Sequence, residues 1–288
     1  MATTVDPAFW IGFAFLFGLV IGSFLNVVIF RLPEGQSIVS PGSHCPGCEA
    51  PIAWYDNVPV LSFLVLRARC RHCRLAISYR YPSVELLTGL VFALIAWRFG
   101  AGWLMPLYAL FAAGLITAAL IDFDRQLIPD EISLGGLACG LLLAPLASWA
   151  LGAAYLGALA ESGLGALLGG GLLWSVAFLH ARVSVALGRS FEHWPGEGAE
   201  VPKPSSADYW LWFPGMGLGD VKLLAMIGAF LGPWGVLETI VTASLLGLAL
   251  GLAYAALTRK LNAPFGFGPA IAAGALLALL FPPTNLLF

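Results

Sequence analysis

The chain has 288 residues, of which 59% are hydrophobic and only 10% are charged, and its formal net charge is −2. Soluble domains carry about 25% charged residues and about 45–50% apolar ones, so this composition argues against a soluble globular enzyme. It also excludes a disordered chain, which needs low hydrophobicity and high net charge. The small net charge gives no support to nucleic-acid binding. Most of the chain is therefore expected to lie in a lipid bilayer.

Eight segments are predicted to cross the membrane as helices, because a span needs about 20 mostly apolar residues. In chain order they are Phe9–Phe30, Val84–Trp97, Trp103–Ile121, Ser133–Leu151, Gly163–Ala181, Val221–Leu231, Val236–Leu257 and Phe267–Leu286. The short segment Val221–Leu231 is expected to face protein or water rather than lipid. No Lys or Arg precedes the first segment, which is therefore interpreted as a membrane helix and not as a cleaved signal peptide.

Small residues inside these segments suggest where helices pack. Gly18-xxx-Gly22 and Gly165-xxx-Gly169 fit close helix–helix contact, although ordinary glycine use in membrane helices explains them equally well. Cys139 lies within the fourth span among Leu, Gly and Ala, and is interpreted as a small buried hydrophobic residue.

The basic residues predict the orientation, because cytoplasmic loops are enriched in Lys and Arg. Eight alternating spans place 13 of the 14 Lys and Arg on one side of the membrane and Arg98 alone on the other. Both termini are therefore predicted to lie outside the cytoplasm. Two predicted cytoplasmic loops are long: 32–82, which contains four cysteines, and 188–213, which is rich in Pro, Gly, Glu and Ser and is predicted to be flexible.

Four of the five cysteines form two C-x₂-C pairs separated by 21 residues: Cys45 with Cys48, and Cys70 with Cys73. Two such pairs complete a tetrahedral zinc site, and four thiolates leave no open position, so the zinc is predicted to be structural. Disulfides are the rival interpretation, but the predicted loop lies in the reducing cytoplasm. A redox or iron–sulfur role is the remaining alternative. His44 and His72 adjoin the cysteines and are interpreted as non-ligands.

Two aspartates near predicted cytoplasmic helix ends are poorly explained by ordinary structural roles. Asp122 directly follows 19 uncharged residues, and an ionisable side chain at membrane depth is a functional candidate by default. Asp220 follows glycines at alternate positions, which permit positive φ and close approach of another group. A helix cap would explain Asp220 but not these glycines.

If Asp122 and Asp220 face each other, two carboxylates that share one proton suggest aspartyl-protease chemistry. A phosphate-binding interpretation of the glycine run would require a preceding β-strand, and the preceding segment is instead a polar loop. Asp130 and Glu131 are explained by the first turn of a helix that follows Pro129. Glu85, which is placed at the membrane interface, and Glu238 are interpreted as structural.

Several motifs, in order along nearly the whole chain, resemble the bacterial type IV prepilin leader peptidase and N-methyltransferase family. They are Gly22–Pro33, the two cysteine pairs, Ile77–Thr88, Leu120–Asp130 and Gly215–Leu224. The resemblance implies an aspartyl protease of the Gly-x-Gly-Asp class, with Asp122 and Asp220 as the catalytic aspartates and Asp124 and Asp130 as supporting residues. It also implies that prepilins and type II secretion pseudopilins are cleaved on the cytoplasmic side, after the glycine that ends a short basic leader. The new N-terminus, usually Phe, would then be methylated with S-adenosylmethionine.

These observations predict an all-α polytopic protein of the bacterial inner membrane, with about eight transmembrane helices and a small cytoplasmic zinc-binding subdomain. The predicted divisions are a first helix (1–31), the zinc subdomain (32–82) and a peptidase membrane domain (83–288), with both termini periplasmic. Membrane lipids, prepilins and pseudopilins are the expected partners, and nucleic acid is not one; the oligomeric state is left open. No Rossmann-type methyl-donor motif is present, so no methyltransferase residue is assigned. A transporter that uses buried carboxylates is one alternative, and a zinc-bearing assembly factor without catalysis is another.

Overall fold

The structure is a computed structural model, and it describes residues 6–189, 194, 201–214, 217–258 and 266–281. Over these residues it consists of helices, turns and two isolated β-bridges. The chain divides into two compact units, Met1–Asp124 and Arg125–Phe288.

Six helices of the described chain are long and apolar enough to cross a membrane. They are α1 (Pro7–Arg31), α3 (Arg80–Phe99), α4 (Leu104–Arg125), α5 (Asp130–Ala150), α6 (Tyr155–Ala186) and α8 (Leu218–Thr258). The described chain also has three shorter α-helices: α2 (Leu61–Val65), α7 (Asp208–Leu211) and the apolar α9 (Gly268–Leu280). The prediction of an all-α polytopic membrane protein is confirmed.

The eight predicted spans fall on seven helices, because α8 contains both Val221–Leu231 and Val236–Leu257. It is broken at Gly232, whose φ of 68° and ψ of −176° are not helical, and Pro233 follows. Glycine tolerates this positive φ without a steric penalty. The end of the last predicted span, residues 282–286, lies outside the described residues, as do the basic residues Arg259 and Lys260.

Local sequence signals account for several helix ends. Asp6 caps α1 by accepting a hydrogen bond of 2.9 Å from the Ala8 amide, and a proline occupies the first turn. A φ of 68° at Gly100 ends α3. Helix α5 begins directly after Pro129 and carries Asp130 and Glu131 in its first turn, as predicted.

In the first unit, α1 and α3 pack closely through small residues. A Cβ added at Gly18 would lie 2.8 Å from Gly89 Cα, and one at Gly22 would lie 2.7 Å from Glu85 Cα. Both distances are too short for real side chains, so only glycine permits this contact. The predicted packing role of Gly18-xxx-Gly22 is confirmed.

In the second unit, the first half of α8 lies in the interior against α5 and α6. Leu223 and Ile227 have no exposed surface, which confirms that Val221–Leu231 faces protein. The backbones of Gly165 and Gly228 touch where α6 crosses α8, and Gly169 packs against the carbonyl group of Leu224. The packing role of Gly165-xxx-Gly169 is therefore confirmed as well.

Candidate active site and metal centre

The four paired cysteines come together in the first unit. The sulfur atoms of Cys45, Cys48, Cys70 and Cys73 all lie within 4.8 Å of one another. Neither His44 nor His72 belongs to this group, and the fifth cysteine, Cys139, is half-buried in α5. A cluster of four sulfurs at this spacing has the donor set and size of a tetrahedral metal site.

The two C-x₂-C turns repeat one backbone arrangement, which explains how the sulfurs converge. In each turn the amide of the first cysteine donates to the carbonyl five residues later, and the residue after the second cysteine has positive φ. The bonds are Cys45 N to Ala50 O at 3.0 Å and Cys70 N to Leu75 O at 2.8 Å, and the positive φ values are 56° at Glu49 and 61° at Arg74. Each turn therefore presents both of its sulfurs on one side.

The second cysteine turn is attached to the chain before it by an ion pair. Arg71 donates from Nε and Nη2 to the two carboxylate oxygens of Asp56, at 2.7 Å and 2.5 Å, and its guanidinium lies 5.6 Å from the centre of the Tyr55 ring. The hydrogen bonds from Arg71 also lower the pKa of Asp56. The backbone amides of Cys73 and His72 lower the pKa of the Cys70 thiol to about 6, whereas burial and the neighbouring thiols raise the pKa of Cys73 to about 11.

Asp122 lies three residues before the end of α4 and is 6% exposed. Its neighbour Asp124 accepts hydrogen bonds from Arg80, the first residue of α3, at 2.8 Å and 2.5 Å. The end of α4 and the start of α3 are thus joined by an ion pair. Asp124 is thus engaged in an ion pair, and Asp122 is the buried carboxylate of this helix end.

Asp220 lies in the first turn of α8 and is half-buried. Of the two roles expected for the glycines before Asp220, positive φ is absent at Gly217 and Gly219, and Gly215 lies outside the described residues. Gly219 instead allows a close approach, because a Cβ there would lie 3.1 Å from Ile128 Cβ. Lys222, two residues after Asp220, forms an ion pair with Asp130. The starts of α5 and α8 are therefore held together within the second unit.

The described part of the loop 188–213 carries an aromatic cluster that the sequence did not reveal. Trp210 stacks on Phe178 of α6, with ring centroids 5.2 Å apart, and Arg182 lies 3.9 Å from the centre of the Tyr209 ring. Phe213 is 6% exposed and packs against α6. Residues 209–213 therefore lie against α6 just before the glycines that lead to Asp220. Residues 190–193 and 195–200 lie outside the described residues.

Two family models match the chain. Residues 16–99 match the bacterial peptidase A24 N-terminal domain, and residues 109–252 match the type IV leader peptidase family. The chain belongs to the type IV leader peptidase family. With its six apolar helices, this membership indicates a protein of the inner membrane.

Curated relatives carry the name prepilin leader peptidase/N-methyltransferase. The chain is 34% identical to one from Stutzerimonas stutzeri over 96% of its own length and 92% of the relative. It is 35% identical to one from Pseudomonas aeruginosa over 92% of its own length and 88% of the relative. A relative from Myxococcus xanthus is 39% identical over 83% of this chain and 62% of the relative. No solved structure matches the chain.

Proposed function

We propose that the chain is a membrane aspartyl endopeptidase that removes the leader of type IV prepilins and type II secretion pseudopilins and then N-methylates the new N-terminus. The observation that carries this proposal is that residues 16–99 and 109–252 match the two peptidase family models. A relative named prepilin leader peptidase/N-methyltransferase also matches over 96% of the chain. Cleavage takes place on the cytoplasmic side after the leader glycine, and S-adenosylmethionine supplies the methyl group.

In the proposed cleavage step, Asp122 and Asp220 share one proton. The ionised carboxylate takes a proton from the attacking water while the protonated one polarises the scissile carbonyl, and the leaving amine is then protonated. The burial of Asp122 and the position of Asp220 in the first turn of α8 support these roles. Asp124 and Asp130 act as positioning residues through their ion pairs with Arg80 and Lys222.

The four-cysteine cluster is proposed to hold one structural Zn²⁺. The converging sulfurs support this assignment, since four thiolates complete the coordination of zinc and leave no place for substrate. The metal would stabilise segment 32–82, which has few buried apolar residues of its own. In this proposal the cluster, Asp122 and Asp220 lie on the cytoplasmic side, and both termini are periplasmic.

The proposed dyad is tested with Asp122→Asn and Asp220→Asn, each purified in detergent and incubated with a prepilin. Cleavage is expected to fall by at least about 100-fold in each variant, because general acid–base catalysis contributes about 10²–10⁴-fold. Glu238→Gln is the matched control, since it neutralises another carboxylate of α8 that has no proposed role. Wild-type cleavage by either aspartate variant would remove that residue from the dyad. Cation flux in liposomes without peptide cleavage would favour a transporter instead.

A further inference from the structure

Glu85 is a buried carboxylate that the proposed cleavage step does not use. It lies on α3 and is 7% exposed, so its side chain is buried inside the protein. Its Oε2 accepts a hydrogen bond of 2.7 Å from the Val60 amide, and the hydroxyl of Ser23 on α1 is its second polar neighbour. The carboxylate therefore lies where segment 32–82 meets α1 and α3.

The backbone that donates this hydrogen bond is strained. Val60 has φ 60° and ψ −47°, and it is the centre of a tight turn in which Leu61 N donates to Pro59 O at 2.6 Å. A β-branched residue avoids positive φ, and such turns persist only where the surroundings impose them. Strained backbone of this kind collects at functional sites. Here it directs an amide N–H at the Glu85 carboxylate.

No Lys, Arg or His of the described chain forms an ion pair with Glu85. Arg80, five residues earlier on α3, is paired with Asp124 instead. Burying an ionised carboxylate without a cation is costly, so such a group is stabilised by any cation that enters its site. The site thus has the chemistry to bind an ammonium group, which brings both a positive charge and several N–H donors.

Glu85 lies at the same end of the first unit as Asp122. The Arg80–Asp124 ion pair joins the start of α3 to the end of α4. Glu85 is five residues, or about 7.5 Å, from Arg80 along α3, and Asp122 is two residues, or about 3 Å, from Asp124 along α4. Along the helix axes, the two carboxylates therefore differ in depth from this end of the unit by about 4.5 Å, less than one helical turn.

We propose that Glu85 binds the amino terminus created by leader cleavage and serves as the base for its methylation. This inference rests on the proposed function. The Glu85 carboxylate takes a proton from the new ammonium and leaves a neutral amine. The amine lone pair forms a bond to the methyl carbon of the sulfonium donor, the carbon–sulfur bond breaks, and its electron pair stays on sulfur as a thioether. Glu85 then passes its proton to water, and the product is a methylammonium.

The first test separates methylation from cleavage. Glu85→Gln keeps an oxygen that accepts the Val60 hydrogen bond but removes the base, so methylation of a pre-cleaved pilin peptide is expected to fall by at least about 100-fold. Cleavage of the intact prepilin is expected to stay within about threefold of wild type, because Glu85 takes no part in the proposed cleavage. Glu85→Asp, which keeps the charge, should recover part of the methylation, and Glu238→Gln should methylate normally.

The second test measures binding without methylation. A pre-cleaved pilin peptide with a free N-terminal amine and its N-acetylated form are titrated against wild type and Glu85→Gln without a methyl donor. Because Glu85→Gln removes the negative charge that would bind the ammonium, it should weaken binding of the free-amine peptide about tenfold. Binding of the acetylated peptide should not change. If wild type methylates no peptide, the proposed methyltransferase function fails, and this titration alone decides the role of Glu85.

Three results would overturn the proposal. The first is wild-type methylation by Glu85→Gln. The second is an equal loss of affinity for the free-amine and acetylated peptides. The third is a joint loss of cleavage, methylation and thermal stability in both Glu85→Gln and Glu85→Asp, which would make Glu85 a structural support for the Val60 turn.

Discussion

The crossing of α6 and α8 predicts opposite effects for two glycine-to-alanine substitutions on the same helix. A Cβ at Gly165 would lie 2.8 Å from the carbonyl carbons of both Gly228 and Gly232, whereas a Cβ at Gly163 would meet no atom within 4 Å. The obstructing atoms at Gly165 are backbone, so they cannot move aside as a flexible side chain does. Accommodating the methyl group would require α6 and α8 to separate.

The expected change in the free energy of unfolding follows from two opposing contributions. Alanine is favoured over glycine inside a helix by about 1 kcal/mol, and both substitutions gain this. Forcing an extra methyl group into a close-packed contact costs about 1–3 kcal/mol or more. Gly163→Ala is therefore expected to raise stability slightly. Gly165→Ala is expected to be about 1–3 kcal/mol less stable than Gly163→Ala.

The assay is thermal unfolding of both variants purified in one detergent, together with prepilin cleavage. Gly165→Ala should unfold at a lower temperature and cleave more slowly, because the first half of α8 carries Asp220 and packs on α6. Gly163→Ala should cleave at the wild-type rate. Equal unfolding temperatures for the two variants would refute the close contact between these helices.

Three further predictions concern the metal centre and the start of α8. Metal analysis should find about one zinc per chain, and Cys45→Ser should reduce it; a stably folded, metal-free wild-type protein would contradict the zinc assignment. Arg71→Gln removes the ion pair with Asp56, so a chelator should extract the metal faster than from wild type. Arg69→Gln is the matched control, because Arg69 is exposed and takes part in no ion pair among the described residues. Asp130→Asn breaks the ion pair with Lys222, but the Asp130 side chain is 59% exposed. The free energy of unfolding, measured by thermal or chemical denaturation, should therefore fall by less than about 1 kcal/mol.

The features that the sequence predicted well depend on local or averaged properties. Apolar composition and segment length predict membrane helices whatever their neighbours, because the bilayer imposes the length. The C-x₂-C spacing predicts the two cysteine turns, since each is closed by hydrogen bonds within six residues. Pro129, Asp130 and Glu131 predict the start of α5 because they lie at or next to the first turn of that helix. In each case the physical cause lies inside the segment.

Other features were predicted only in part because their cause lies in a different segment. The glycines before Asp220 allowed either positive φ or close approach, and only the structure shows that Gly219 makes a close contact with Ile128. The two predicted spans around Gly232 are separated by a non-helical residue, but their sequences did not show that they follow each other without a loop. The sequence did not predict the aromatic cluster on α6, because Phe178 and Trp210 are far apart in the chain.

Composition, charge distribution and cysteine spacing by themselves determined that this protein is a polytopic helical membrane protein with a four-cysteine cluster. Only the tertiary structure decided that Glu85 is buried against the strained Val60 turn, and that Gly165 and Gly228 form the crossing of α6 and α8. Burial and close contact depend on which distant residues face each other. That is a property of packed helices, and the periodicity of any one segment does not contain it.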